Sequence, residues 1–192
     1  MGLKALISLE MRGCMAAGKD LFLSMHSDAT PGTLPDPVPR GMTVYRSVRQ
    51  PQSAPFSDRL GAAVAAVMRT PYRGGIARPY PGDERSDYYA VLRSSVCAGV
   101  GTAFLMEHGF HTNPQDCAAL MDDDILRQIA QAEVAVIAAW YGFGPAYTVR
   151  AGDTLYAIGR RFGVDWRLIA IINGIGEPYR IFPRQVLMIP ST

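Results

Sequence analysis

Apolar positions along the chain fall into two spacings, one helical and one alternating or continuous. Over residues 6–18, "LISLEMRGCMAAG", Leu6, Leu9, Met15 and Ala16 share a helical face and Gly18 offers a stop. "KDLFLSMHSD" follows as a short apolar strand ending at His26. Residues 30–41 hold four of the fourteen prolines and read as an exposed loop, and "GMTVYRSV" reads as a second strand. Ser57 or Asp58 then caps a helix over "SDRLGAAVAAVMRT", with Leu60, Val64 and Val67 on one side and a stop before Pro71. "YRGGIARPYPGDERSDYYAVLRSS" begins as loop and ends in the apolar approach to the next strand. That strand, "GVGTAFLM", is small and apolar throughout, which suits a strand covered on both faces of a parallel sheet. It places Glu107 at its carboxyl end.

After "HTNPQD", with Asn113 as cap, a long helical pattern runs through "AALMDDDILRQIAQAEVAVIAAWYG". Leu126, Ile129, Glu133, Val136 and Trp140 lie on or near one stripe, and Asp122, Asp123 and Asp124 form a negative first turn. Strand alternating with helix predicts an α/β fold, a mostly parallel sheet with flanking helices. Pro145 marks a boundary, so the expected organisation is a body over 1–142, a linker over 143–146 and a small module over 147–192. In the module "YTVR" alternates as a strand, and Asp153 caps a helix whose Leu155, Ile158 and Phe162 face inwards. Asp165 caps a second helix with Leu168, Ile169 and Ile172, and "VLMIP" closes a βααβ unit.

Composition narrows the function classes. The 192 residues are 48% hydrophobic and 19% charged, as expected of a soluble globular protein with one domain and a small module. Net charge is +2, carried by the tail: residues 147–192 hold six Arg against three Asp/Glu. That leans towards an acidic surface such as a bacterial wall, yet falls far short of a nucleic-acid footprint. No apolar run reaches bilayer length, so membrane insertion is not expected. The start, "MGLKALISLEMRG", does not read as a secretory signal, and Leu6 argues against myristoylation at Gly2. Cys14, Cys97 and Cys117 are scattered without a CxxC pair, which predicts buried free thiols rather than disulfides or a zinc knuckle.

The chemistry concentrates in "FLMEHGFHTN". In open α/β sheets ligands gather beyond the carboxyl strand ends, which gives Glu107 a functional reading beside the plain one of an acid opening a solvated loop. His108 and His111 lie within four residues of it. Each reads either as a site-lining group that orients substrate or stabilises an oxyanion, or as a loop histidine with ordinary hydrogen bonds. Arg93, in "VLR", reads as a partner for a peptide carboxylate or as half of an ion pair steadying the fold.

Two resemblances organise these pieces. From Tyr147 to Pro190 the tail closely resembles a lysin motif (LysM). The resemblance implies binding of N-acetylglucosamine-containing glycan, usually peptidoglycan, between Gly152, Asp153, Thr154 and Leu155 on one wall and Asn173, Gly174, Ile175 and Pro183 on the other. Asp153 and Asn173 read as cap and turn residues rather than as sugar contacts. Arg184 stands where that pattern usually has Gly. In the body, "SLEMRGCMAAGKDLFLSMHSD", "SDYYAVLRSS" and "FLMEHGFHTNPQDCAALM" in this order resemble the C-terminal half of the zinc-dependent N-acetylmuramoyl-L-alanine amidases. That resemblance implies cleavage of the amide between muramic acid's lactyl group and L-alanine of the stem peptide. It matches His26 to a zinc-ligand histidine and Glu107 to the catalytic glutamate. A metal lowers the pKa of its water and polarises the carbonyl, and a nearby carboxylate takes that water's proton and returns it to the leaving amine.

The resemblance also sets expectations of what is missing. The family's other two ligands, a histidine and a glutamate, precede the part matched here, so an N-terminally truncated amidase fold with an apolar sheet edge and an incomplete zinc site is expected. The leading reading is a peptidoglycan hydrolase whose LysM anchor raises local substrate concentration. Its expected partners are peptidoglycan glycan strands and stem peptide, with no nucleic acid. The place of action is the cell wall or extracellular space, or a spore or phage-lysis setting. The alternative is a non-catalytic wall-binding protein with a relic amidase body.

Overall fold

The computed structural model describes residues 7–32 and 35–190. Leu6, Gly2 and the rest of residues 1–6 lie outside it, as do residues 33–34 and 191–192. In chain order, α1 (Leu9–Cys14) is followed by β1 (Leu21–Asp28) and β2 (Met42–Arg46). A 3-10 turn (Pro51–Ser53) leads into α2 (Ala54–Met68), then β3 (Tyr72–Ala77) and a small ribbon of β4 (Pro79–Tyr80) and β5 (Asp83–Asp87). Then come α3 (Ala90–Cys97), β6 (Thr102–Phe110), α4 (Pro114–Leu120) and α5 (Asp123–Trp140). The C-terminal module is β7 (Ala146–Thr148), α6 (Leu155–Phe162), α7 (Trp166–Ile172) and β8 (Val186–Met188).

The main sheet has the order β1-β6-β2-β3. Two of its pairings, β1 with β6 and β2 with β3, are parallel, whereas β2 runs antiparallel to β6. The expected mostly parallel α/β sheet is therefore present with one reversed junction. β6 sits between two strands and is nearly all buried, which is why its sequence is continuously apolar up to Met106. One face packs on α2 and α5 through Met42, Val44, Phe104 and Met106 against Phe56, Leu60, Val64 and Val136. The other carries Ala103 and Leu105 against Val91 and Leu92 of α3. α1 lies on α3, and Gly13 permits the approach: a Cβ there would meet Ser94 Oγ at 2.0 Å and Ser95 N at 2.7 Å.

Several local expectations need correction. α2 starts at Ala54, earlier than a Ser57 or Asp58 cap, because the turn at Pro51 pre-sets the helix and Ser57 is buried within it. The loop-like stretch after Pro71 forms β3, β4, β5 and α3, tertiary pairing with β2 overriding its Gly and Pro content. The long helical pattern is two helices, since the Asp122 side chain accepts from Asp124 N and Ile125 N and opens α5. Leu126, placed on the core stripe, is 41% exposed. Cys14 and Cys97 are exposed rather than buried.

β1 pairs only with β6 among the described residues, leaving its other edge open. Met25 on this strand, Met11 of α1 and Met15 at its C-cap are exposed, the apolar margin expected.

The C-terminal module is docked, not trailing. Ile172 belongs to the core cluster of the larger domain, with Leu168, Ile171 and Met188 packed beside it. Arg59 of α2 donates to the Ile172 carbonyl at 2.8 Å, and its guanidinium lies 5.7 Å from the Trp140 ring centroid. Trp140 in turn stacks on Phe56 at 4.7 Å.

Candidate active site and glycan-binding module

Glu107 is not at the end of its strand: β6 continues to Phe110, so the acid is held by rigid backbone on both sides. In register its Cα partners are His26 on β1 and Thr43 on β2. Paired residues project on the same face, so His26, Glu107 and Thr43 share the face that carries α1 and α3. Glu107 Oε2 is buried and has no hydrogen-bond partner. Burial first, and the Asp28 carboxylate second, push its carboxyl up to about 7. A carboxyl so placed holds and releases a proton near neutral pH.

His26 Nε2 is 2.7 Å from Ser24 Oγ. Its pKa is lowered, by burial first and then by Arg12 and His108, which favours the neutral imidazole able to bind a metal. A catalytic zinc takes about three protein ligands with one open position. Among the described residues no three His, Cys, Asp or Glu side chains gather closely enough to hold a metal ion. The residues present therefore do not make a complete zinc site.

His108 projects to the opposite face, by strand alternation, and does not line the site with Glu107. Its Nε2 lies 2.8 Å from Glu133 Oε1 of α5 and its Nδ1 3.2 Å from the His26 carbonyl. Burial alone would lower its pKa, but the Glu133 hydrogen bond and charge outweigh that and raise it. His111 follows β6, exposed, with Nδ1 3.0 Å from Ser27 Oγ. Arg93 donates to the Asp87 and Tyr88 carbonyls at 2.7 and 2.9 Å. It braces the entry to α3 through backbone oxygens, and among the described residues it forms no ion pair.

Sequence reasoning missed Asp116, whose carboxylate accepts from Gly41 N, Phe110 N, Thr70 Oγ1 and Arg40 Nε. It also explains Gly109, where φ is +133 and a Cβ would stand 3.0 Å from Asp116 Oδ2. The signal was in "EHGFHTNPQD": a glycine inside an apolar strand marks a close approach.

In the C-terminal module Thr154, not Asp153, caps α6, accepting from Ala157 N. Asp153 instead accepts from Tyr147 Oη and Arg150 N at 2.7 and 2.8 Å, closing the loop after β7. These bonds, the Arg150 amide first, lower its pKa. Asp165 caps α7 as expected. Asn173 is a tie: it donates to Ile169 and Met188 carbonyls and accepts from Met188 N, each at 2.8 Å. Arg184 takes the left-handed conformation that glycine would supply, φ 73, and its amide donates to the Val149 carbonyl. Gly152, Gly174 and Pro183 are exposed, Ile175 is half-buried and Leu155 is buried, so Leu155 belongs to the module's core rather than to an open groove wall.

Residues 6–139 match the family model described as N-acetylmuramoyl-L-alanine amidase. The chain belongs to this family. Residues 147–190 match the LysM domain model. The amidase domain has the same fold as an N-acetylmuramoyl-L-alanine amidase from Clostridium difficile, at TM-score 0.57 and 19% identity, covering 71% of this chain and 66% of that one. The catalytic domain of CwlV, an N-acetylmuramoyl-L-alanine amidase from Bacillus (Paenibacillus) polymyxa var. colistinus, aligns with TM-score 0.56 and 19% identity, covering 72% and 68%. Shorter matches are to a lipoprotein NlpD/LppB homolog of Pseudomonas aeruginosa, 60% identical over 41 residues, and to the uncharacterized lipoprotein YgeR of Escherichia coli, 48% over 44. The first covers 21% of this chain and 14% of the relative, the second 23% and 18%, so the chain spans under a fifth of either relative. Among the described residues no helix is long and apolar enough to cross a membrane.

Proposed function

We propose that the chain acts on peptidoglycan, hydrolysing the amide between the lactyl group of N-acetylmuramic acid and L-alanine of the stem peptide, at the wall or outside the cell. The carrying observation is the pairing of Glu107 with His26 on one sheet face, with a buried carboxylate oxygen left without a partner. In this reading Glu107 takes a proton from water as the water oxygen bonds the lactyl carbonyl carbon, and returns it to the alanine nitrogen as the C–N bond breaks. The products are a lactyl carboxylate and a free peptide amino terminus. Thr43 and His26 flank the acid on the neighbouring strands. His26 is proposed as one zinc ligand, and a metal held there would supply an activated water and a polarised carbonyl; no step is assigned to it, because the described residues do not complete its ligand set. The LysM module holds the glycan and keeps the amidase domain on its polymer.

The test is to incubate the 192-residue chain with purified wall, with zinc and with a chelator, and to follow new alanine amino termini. Release that drops about 10²-fold or more in Glu107→Gln is expected, in line with the worth of a positioned acid–base group, and the chelator arm reads whether it needs a metal. No release by either protein in zinc overturns the catalytic reading. The incomplete ligand set favours one second reading, a wall-binding protein without catalysis. It predicts no stoichiometric zinc and equal wall binding by the chain and its Glu107→Gln variant.

A further inference from the structure

The docking of LysM on the amidase domain encloses a cleft of about 800 Å³ between α2, α5 and the α6–α7 corner, within the usual size range of ligand sites. α2 and α5 cover the sheet face opposite Glu107, so this cleft is separate from the candidate active site. Its floor is low because Ala63 and Ala66 of α2 face Ala132 and Ala135 of α5, with Leu168 and Ile171 closing the LysM side.

Exposed polar groups ring this floor. Arg69 sits at the C-cap of α2 in a left-handed conformation, φ 51, and is exposed. Arg167 projects from α7 on the other bank, 3.8 Å from Asp165, a loose exposed pair. Gln128 and Gln131 lie three apart on α5, so both amides border the same space. Two guanidiniums against one carboxylate leave the cleft cationic. Primary amides are natural partners for peptide groups, guanidiniums bind carboxylates, and the floor of alanine, leucine and isoleucine accepts methyl groups.

We propose that the interdomain cleft is a second binding site, for a short acidic peptide of the stem-peptide class. Neutral sugar oligomers lack the carboxylates that would use Arg69 and Arg167. Its assignment to wall peptide rests on the function proposed above. The two banks come from different domains, so the site exists only while LysM stays docked.

The test uses the full chain in calorimetric titrations with two probes: a purified stem tripeptide with free carboxylates, and a neutral N-acetylglucosamine trimer. Saturable 1:1 tripeptide binding is expected, weakened about tenfold or more in the Arg69→Gln/Arg167→Gln double variant and unchanged in Glu107→Gln. Ala66→Trp, an exposed position that fills the cleft, gives an independent block with the same expected loss. Trimer binding should be equal in all of these. No tripeptide binding, unaltered binding in the double variant and in Ala66→Trp, equal binding of a tripeptide with amidated carboxylates, or loss in Glu107→Gln each overturns the proposal. Failure of the trimer to bind together with no peptide release from wall would instead refute the wall function, and tripeptide binding would still score the cleft by itself.

Discussion

Replacing Glu107 by Gln should make the metal-free protein increasingly more stable than wild type as pH rises, because the amide imitates the protonated acid. In the unfolded chain this carboxyl loses its proton near its ordinary 4.5, whereas in the folded chain it keeps it up to about 7. Between these values the folded state binds more protons, so stability falls with rising pH. The contribution is fully present below 4.5 and gone above about 7. The full displacement, at about 1.36 kcal/mol per pH unit, sets a ceiling of ~3.4 kcal/mol. The side chain is only half-buried, and solvent screening reduces this to ~1–2 kcal/mol. For a chain of this size that corresponds to about 2–8 °C in melting temperature. The assay is thermal unfolding of wild type and Glu107→Gln in chelator at half-unit steps from pH 4 to 8.5. The gap between them should widen in favour of the variant through the window and then level off. A gap that stays constant across the range refutes the account of this carboxyl as buried and unpartnered.

The His108–Glu133 pair predicts a second outcome: His108→Leu strands a buried acid and should cost ~3 kcal/mol in denaturant unfolding, whereas His108→Leu/Glu133→Leu should cost clearly less than the two single changes combined. Because the folded pKa of His108 is raised, its stabilising charge is present below the ordinary histidine value and is lost as pH climbs through the raised one, so wild-type stability should show a drop there that the double variant lacks. Arg184→Gly should raise stability by about 0.5–1 kcal/mol, since glycine takes φ 73 without the Cβ strain; a loss would mean that the arginine side chain holds the turn.

Periodicity made the α/β class, α2, α5 and the βααβ module readable, because each buries a regular stripe. It failed between Pro71 and Ser95, where Gly74, Gly75 and three prolines read as loop while β3 gains its order from β2, a pairing no local pattern encodes. At the site, the apolar runs drew attention to Glu107 and His26, and the amidase resemblance supplied the roles expected of them. Their joint face was not, since it depends on register between strands about 80 residues apart. The setting of His108 was hidden for the same reason: its partner lies 25 residues on, in a helix packed over the sheet. Asp153 was read as a cap by its type, although Thr154 one residue later has the geometry.

A LysM unit is easily regarded as a bead to be swapped between proteins. Here Leu168, Ile171 and Ile172 are apolar on behalf of α2 and α5. Cutting the chain near Phe143 and grafting residues 147–190 elsewhere would bare that face and invite self-association, while the amidase domain left behind would show its own matching scar. The two halves must therefore change together, so a substitution in α7 is tolerated only if the surface of α2 and α5 can answer it.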